Sequence, residues 1–248
     1  MARPTQPNVR NRLLAALPPA EFAVVALMLT QVTLEIGQPL HRAGEIIDDV
    51  YFPETGFISA LAVLTDGYHL EIGLIGAEGV AGVSVILGSN TSYSEAMCQT
   101  GGTAWKMTPA NLRKAAAEQP HFRELLLKYA EVFHIQVAQT AVCNAHHELG
   151  QRLARWLLGA HDRSGVVNLS LTQDLIAIML GVRRSTVSVA AAQLQKAGII
   201  RYQHGLITII DRAGLENAAC ECYESVAGEY RRLFGEHPKD LPQLPTAA

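Results

Sequence analysis

Between Val32 and Met107 apolar and polar positions alternate in short runs broken by glycine and acidic turns; after Pro109 the period lengthens to three or four residues and stays there. The first regime predicts strands at Val32–Ile36, Val50–Phe52, Phe57–Leu64, His69–Ile75 and Thr103–Met107. Turns at Arg42–Glu45, Pro53–Gly56 and Thr65–Gly67 recur about every 8–12 residues, the spacing of an antiparallel sandwich or barrel. We read this region as an antiparallel β-roll, a double-stranded β-helix. Helical stretches at Leu13–Leu17 and Ala20–Leu29 precede it, the second introduced by Pro18-Pro19, which suits a helix start.

The second regime opens with Pro120. From His121 to His146, Phe122, Leu125, Leu126, Tyr129, Val132, Phe133, Val137, Thr140, Ala141 and Asn144 form a stripe wide enough to pack a barrel on one side and a second helix on the other, as a dimer seam requires. Leu149–Leu158 is a further amphipathic helix, and Ser164–Leu171 reads as a turn and short strand. Thr172 caps a helix that ends at Leu180, where Gly181 permits a sharp turn. A new helix from Arg183 to Lys196 leads into Ile199–Tyr202, the turn Gln203-His204-Gly205 and the strand Leu206–Ile210. Helix, glycine turn, helix and hairpin spell a winged helix-turn-helix. The fold class is therefore α+β, with a roll over residues 1–119, a dimerisation helix over 120–148, the winged helix-turn-helix over 149–212 and a helical extension over 213–248.

Composition narrows the function. Of 248 residues 49% are apolar and 17% charged, with mean hydropathy +0.14, so the chain folds around a core. The richest apolar run, Phe22–Leu29, falls far short of the roughly 20 residues of a membrane span, and no membrane partner is expected. Arg3, Arg10 and Arg12 are not followed by an apolar segment with a cleavage site, which predicts no secretory signal and a cytoplasmic location. Reduced thiols are expected at Cys98, Cys143, Cys220 and Cys222. Cys220-Glu221-Cys222 supplies half a metal site, but no second Cys or His pair stands at zinc-finger spacing, so neither metal nor cofactor is expected.

Net charge is −3, yet its distribution is uneven. Residues 1–150 carry 9 Lys/Arg against 14 Asp/Glu and residues 214–248 carry 3 against 6, whereas residues 151–213 carry 8 against 3. The block with the helix-turn-helix is thus the basic one, as contact with phosphate demands. Within it, Arg183, Arg184, Ser185, Thr186, Ser188 and Val189 lie on the opening turns of the second helix, which suits entry into a major groove. Arg184 is the candidate for a bidentate pair with guanine O6 and N7. Thr172, Gln173, Thr186 and Arg183 are better placed for phosphates, with Arg201 and His204 reaching backbone from the wing. Double-stranded DNA is the expected partner.

The order of roll, long helix, Arg152-Leu153-Ala154-Arg155-Trp156-Leu157-Leu158 and Leu171-Thr172-Gln173 through Leu180-Gly181-Val182-Arg183-Arg184-Ser185-Thr186-Val187-Ser188 resembles the Crp/Fnr family of bacterial transcription regulators over most of the chain. The resemblance implies a cyclic-nucleotide-binding-like roll with an effector pocket, and a homodimer joined through helix 120–148. It also implies a palindromic operator read by recognition helices about 34 Å apart, with RNA polymerase as a further candidate partner. Where cyclic-nucleotide members carry a Gly-Glu and an Arg-Ser pair, this chain has Gly82-Val83 and Ser92-Tyr93; Val137-Ala138 replace the hydroxyls that meet adenine. Without a guanidinium the cyclic phosphate loses its strongest hydrogen bonds, so the effector is expected to be something other than cAMP, or absent. Val83, Tyr93 and Val137 should make the pocket smaller and more apolar. In the readout helix, Ser185 and Val189 stand where the cyclic-AMP regulator has Glu and Arg, which implies a different operator. No cysteine cluster near the N-terminus offers an iron–sulfur site, and haem ligation by His69, His134, His146 or His147 is not expected.

Two other readings compete. A cupin-like metal site would use His41, His69 and Glu71; an interaction module would keep the helix-turn-helix without DNA binding and use the acidic helix Gly214–Phe234, which is otherwise expected to pack on the wing or a partner chain. No catalytic residues are expected, since no Ser/His/Asp order, phosphate loop or carboxylate pair stands out.

Overall fold

The structure, a computed structural model, describes residues 4–166 and 168–235. Arg3, Val167 of the predicted turn and strand, and 236–248 of the predicted C-terminal extension lie outside the described residues. The chain packs as two units, one of residues up to 62 and 74–134, the other of 63–73 and everything from 135 onward.

In the first unit, α1 (Arg12–Ala15) and α2 (Pro19–Ala26) lead into β1 (Thr30–Leu34), β2 (Pro39–His41), β3 (Val50–Pro53) and β4 (Phe57–Val63), whose last residue already belongs to the second unit, as does β5 (His69–Ile75) up to Gly73. Then come α3 (Val83–Ile86), β6 (Glu95–Thr100), β7 (Gly102–Met107), α4 (Pro109–Glu118) and the start of α5 (Pro120–His146). The strands form two antiparallel sheets, β1-β7-β3 and β2-β6-β4-β5, with Val32 opposite Ala104 and Phe52 opposite Trp105. Their inward residues Phe52, Phe57, Ile58 and Leu61 are fully buried. Phe122 of α5 meets Phe52 with ring centres 6.2 Å apart, and Tyr129 lies flat against Gly79, where any Cβ would collide with its ring. β1 begins two residues earlier than the alternation suggests, and β2 and β6 have no counterpart among the predicted strands.

Buried polar groups fasten the chain ends to this core. The Glu54 carboxylate accepts from the backbone N–H of Arg10 and Asn11 at 3.0–3.2 Å. Asn11 donates to the carbonyls of Pro53 and Gly79 while capping α1. Glu21 of α2 accepts from the N–H of Phe122 at 3.1 Å and lies 2.6 Å from His121 Nδ1, placing a carboxylate at the N-terminus of α5. Burial pushes the Glu21 carboxyl up, but these hydrogen bonds outweigh it and hold it below its ordinary value.

The second unit contains the end of α5, then α6 (Leu149–Ser164), β8 (Asn168–Ser170), α7 (Gln173–Leu180) and α8 (Arg184–Lys196). β9 (Ile200–Gln203), β10 (Leu206–Ile209), α9 (Arg212–Ala218) and α10 (Cys222–Phe234) follow. β8, β10 and β9 form the wing sheet. α6 opens with a capping box between Glu148 and Gln151 and runs six residues past Leu158. The added turns carry Asp162 into a buried network: Arg212 pairs with it at 2.7 Å, and Tyr223 donates to it at 2.8 Å while accepting from Arg212. This network fixes α9 and α10 on α6, so the C-terminal helices pack there rather than on the wing.

Most of the predicted α5 stripe is also used within the chain, since Phe122, Leu126, Tyr129, Val132, Phe133 and Thr140 are all buried. Exposed apolar positions of α5 are Leu127 in the first unit and Ala138, Ala141 of the predicted stripe, Val142 and Ala145 in the second, with Glu131 and His134 also exposed. No single helix among the described residues is long and apolar enough to cross a membrane.

Candidate nucleic-acid interface

α7 and α8 meet at a bend of 106°, within the range of DNA-reading helix pairs. Ile176, Ala177, Leu180, Val187, Ala190, Ala191 and Leu194 are buried between them and α6. Thr172 caps α7 by accepting from Leu175 N–H at 3.2 Å. Gly181 ends it in the left-handed region at φ 63°, with the N–H of Val182 returning to Ala177 O. Arg152 of α6 donates to the orphan carbonyl of Leu180, fixing the turn from below. A Cβ on Gly181 would come within 2.6 Å of Tyr68 Oη and 2.7 Å of Leu70 Cδ1. These two residues belong to the 63–73 segment, whose Glu71 carboxylate accepts from Trp156 Nε1 at 2.7 Å.

The outward face of α8 is polar and open. Arg184, Ser185, Thr186, Ser188 and Val189 are exposed, as is Arg183 at the N-cap. Arg183 supplies no capping acceptor, so the first N–H groups of α8 are turned to solvent beside two guanidinium groups, an arrangement that favours phosphate. Arg201 and His204 are exposed on the wing. His204 takes φ 51° and Gly205 φ 78°, the pair of positive values a two-residue hairpin turn demands. Thr172, Gln173, Arg184, Tyr202 and His204 line one groove.

Three features of this face escape the sequence pattern. Arg184 is drawn across the groove toward Asp174 of α7, at 3.6 Å. Tyr202 donates its hydroxyl to Leu171 O at 2.8 Å and forms the groove floor. Ala192, Gln193 and Lys196 continue the exposed stripe of α8; helical periodicity counted forward from Ser185 and Val189 finds them.

In the first unit Gly82, Val83, Ser92 and Tyr93 come together around a cavity of about 20 Å³ with His41, Ser84, Ser94 and Phe133, room for about one water. Gly82 sits at φ 118° with Val50 2.6 Å from where a Cβ would stand, and Ser92 donates to Ser94 O at 2.6 Å. The lining is more polar than the sequence suggests: three serines and a histidine face the space, and Tyr93 is 59% exposed. Val137 and Ala138 lie on α5 within the second unit, Ala138 exposed. His41 Nε2 bonds Asp49 O at 2.8 Å, and the Glu71 carboxylate accepts from Trp156.

Residues 151–218 match the model of the Crp-like helix-turn-helix domain. The whole fold superimposes on FixK2 of Bradyrhizobium japonicum with TM-score 0.67 at 20% identity, covering 77% of this chain and 98% of that one. Residues 151–218 thus form a Crp-like helix-turn-helix domain, and the chain is similar in fold to Crp/Fnr regulators. Another Crp/Fnr regulator, from Eubacterium rectale, matches with TM-score 0.65 at 17% identity over 83% of this chain and 96% of its own. In sequence the chain is 23% identical over 190 residues to the global nitrogen regulator of Synechococcus elongatus, covering 73% of this chain and 86% of that protein. The Crp-like helix-turn-helix over residues 151–218 is the part of the chain that supports a DNA-binding, transcription-regulating role.

Proposed function

We propose that the protein acts as a homodimer on a palindromic operator, with α8 of each copy in a major groove and the wing on adjacent backbone. The observation that carries this reading is the 106° helix pair presenting the uncapped, basic start of α8 to solvent. The exposed apolar positions of α5 support the dimer: Leu127 is 46% and Val142 56% exposed, and the small Ala138, Ala141 and Ala145 around Val142 let a second copy approach closely. Arg184 reads a base; Thr172, Gln173, Arg183 and Thr186 hold phosphates, as do Arg201 and His204; Ser185, Ser188 and Val189 shape the remaining readout. The water-sized cavity supports control by something other than cAMP, or by no small molecule in that pocket.

Selection of binding sequences from a random duplex pool tests the reading. It should return a two-fold symmetric site, and Arg184→Ala should cost about 1–3 kcal/mol and relax specificity at one base position per half-site. Sedimentation should give twice the chain mass, with Val142→Glu reducing it to one. Failure of the native chain to bind any duplex at low salt would overturn the proposal.

A further inference from the structure

Four side chains that the DNA-binding reading leaves unused converge where α5 ends. Cys143 lies in the last turn of α5, and His147 follows the helix end directly, its N–H donating to Cys143 O at 3.0 Å. Cys220, in the link between α9 and α10, and Cys222, the first residue of α10, bracket Glu221. One ligand atom from each lies within 4.8 Å of all the others. Cys143 Sγ is 3.5 Å from Cys220 Sγ, and Cys222 Sγ is 3.4 Å from His147 Nδ1. Zinc bound tetrahedrally at about 2.3 Å from sulfur and 2.0–2.1 Å from nitrogen sets its ligands about 3.8 Å apart along S–S edges and about 3.5 Å along S–N edges. We propose that Cys143, His147, Cys220 and Cys222 form a structural zinc site.

The surroundings fit that assignment. On the far side of the His147 ring, Nε2 lies 3.2 Å from a Glu221 carboxylate oxygen, the carboxylate–histidine pairing that orients a metal-bound imidazole. Gln139 donates to Cys222 Sγ at 3.0 Å. Three thiolates and one zinc ion leave a net negative charge, and Arg152 and Arg155 of α6 interact electrostatically with the Cys143 sulfur. All three cysteines are buried, and the four donors are compact enough for a single ion, whereas a two-iron cluster spreads its ligands over two centres. Cys143 and Cys220 are 77 residues apart, and the entire helix-turn-helix lies inside the loop that the ion closes. Zinc would therefore staple the two ends of the DNA-reading unit and contribute directly to its folding.

The test uses the full chain, free of any histidine tag and purified under reducing conditions. Elemental analysis should find about one zinc per chain. After removal of the zinc, added Co²⁺ should give tetrahedral ligand-field bands and thiolate-to-cobalt charge transfer. Cys222→Ser and His147→Ala should each lose the stoichiometric ion, while Cys98→Ser, outside the cluster, should keep it. Glu221→Gln should retain zinc but weaken its binding about 10–100-fold against a competing chelator. A native chain that neither holds zinc nor gives the cobalt spectrum would overturn the proposal without recourse to any variant. So would iron with acid-labile sulfide, a Cys143–Cys220 disulfide in its place, or a full zinc complement in Cys222→Ser.

Discussion

Asp174 pairs with Arg184, the residue proposed to read a base, and removing its charge should tighten operator binding. The two groups are 3.6 Å apart, with side chains 66% and 71% exposed, so water-like screening applies: Coulomb attraction is about 1.2 kcal/mol at that distance. A Debye length of about 8 Å at physiological salt reduces this to about 0.7 kcal/mol, or roughly threefold in affinity. Asp174→Asn keeps the shape of α7 and removes the competing carboxylate, so the operator should bind about threefold more tightly. Fluorescence anisotropy with a labelled operator duplex measures it, using wild type, Asp174→Asn, Arg184→Ala and the double variant. If Asp174 acts through Arg184, the gain should vanish in the Arg184→Ala background. An equal gain in both backgrounds would show that Asp174 merely repels phosphate and would refute the competition.

Three further outcomes follow from the packing and polar contacts. Asp162→Ala should destabilise the second unit by about 3 kcal/mol, the low end for breaking a buried pair because Arg212 keeps 30% exposure; urea unfolding followed by tryptophan fluorescence, with Trp156 in the same unit, measures it. Glu21 has a folded value below its reference of 4.5, so its stabilisation is complete above that reference and drains away as pH falls through the folded value; Glu21→Gln should flatten the acid limb of the thermal midpoint against pH. Calorimetry with cAMP should show no binding in the micromolar range, since the cavity admits about one water; submicromolar affinity would contradict the closed pocket.

The elements legible in the sequence are those whose own pattern decides them. β4 is a nearly continuous apolar run between turn signals, β5 and β7 are short, mainly apolar runs bounded likewise, α5 has a long apolar stripe, and Gly181 with Thr172 marks both ends of α7. β6 was not legible because Glu95-Ala96-Met97-Cys98-Gln99-Thr100 has little strand propensity of its own; pairing with β2 on one side and β4 on the other makes it a strand. The last turns of α6 depend likewise on Asp162 meeting Arg212 and Tyr223 from α9 and α10. For the DNA face, charge and helical period placed Arg183 to Val189 outward, but the pull of Asp174 on Arg184 is a contact between two helices whose angle the sequence does not state. Cys220 and Cys222 looked short of ligands because their partners are not a second short-spaced pair in the same loop. Cys143 and His147 lie at the end of a helix more than seventy residues upstream, and only the tertiary fold brings them near.

The 63–73 segment sets a practical rule for anyone dissecting this molecule. A fragment cut at residue 135 to isolate the C-terminal half would discard the peptide that carries Glu71, Tyr68 and Leu70. The indole of Trp156 would then lose its acceptor, and the Gly181 turn would lose its cover. Such a truncation would be a damaged module rather than a minimal one, and a faithful miniature must graft that hairpin back.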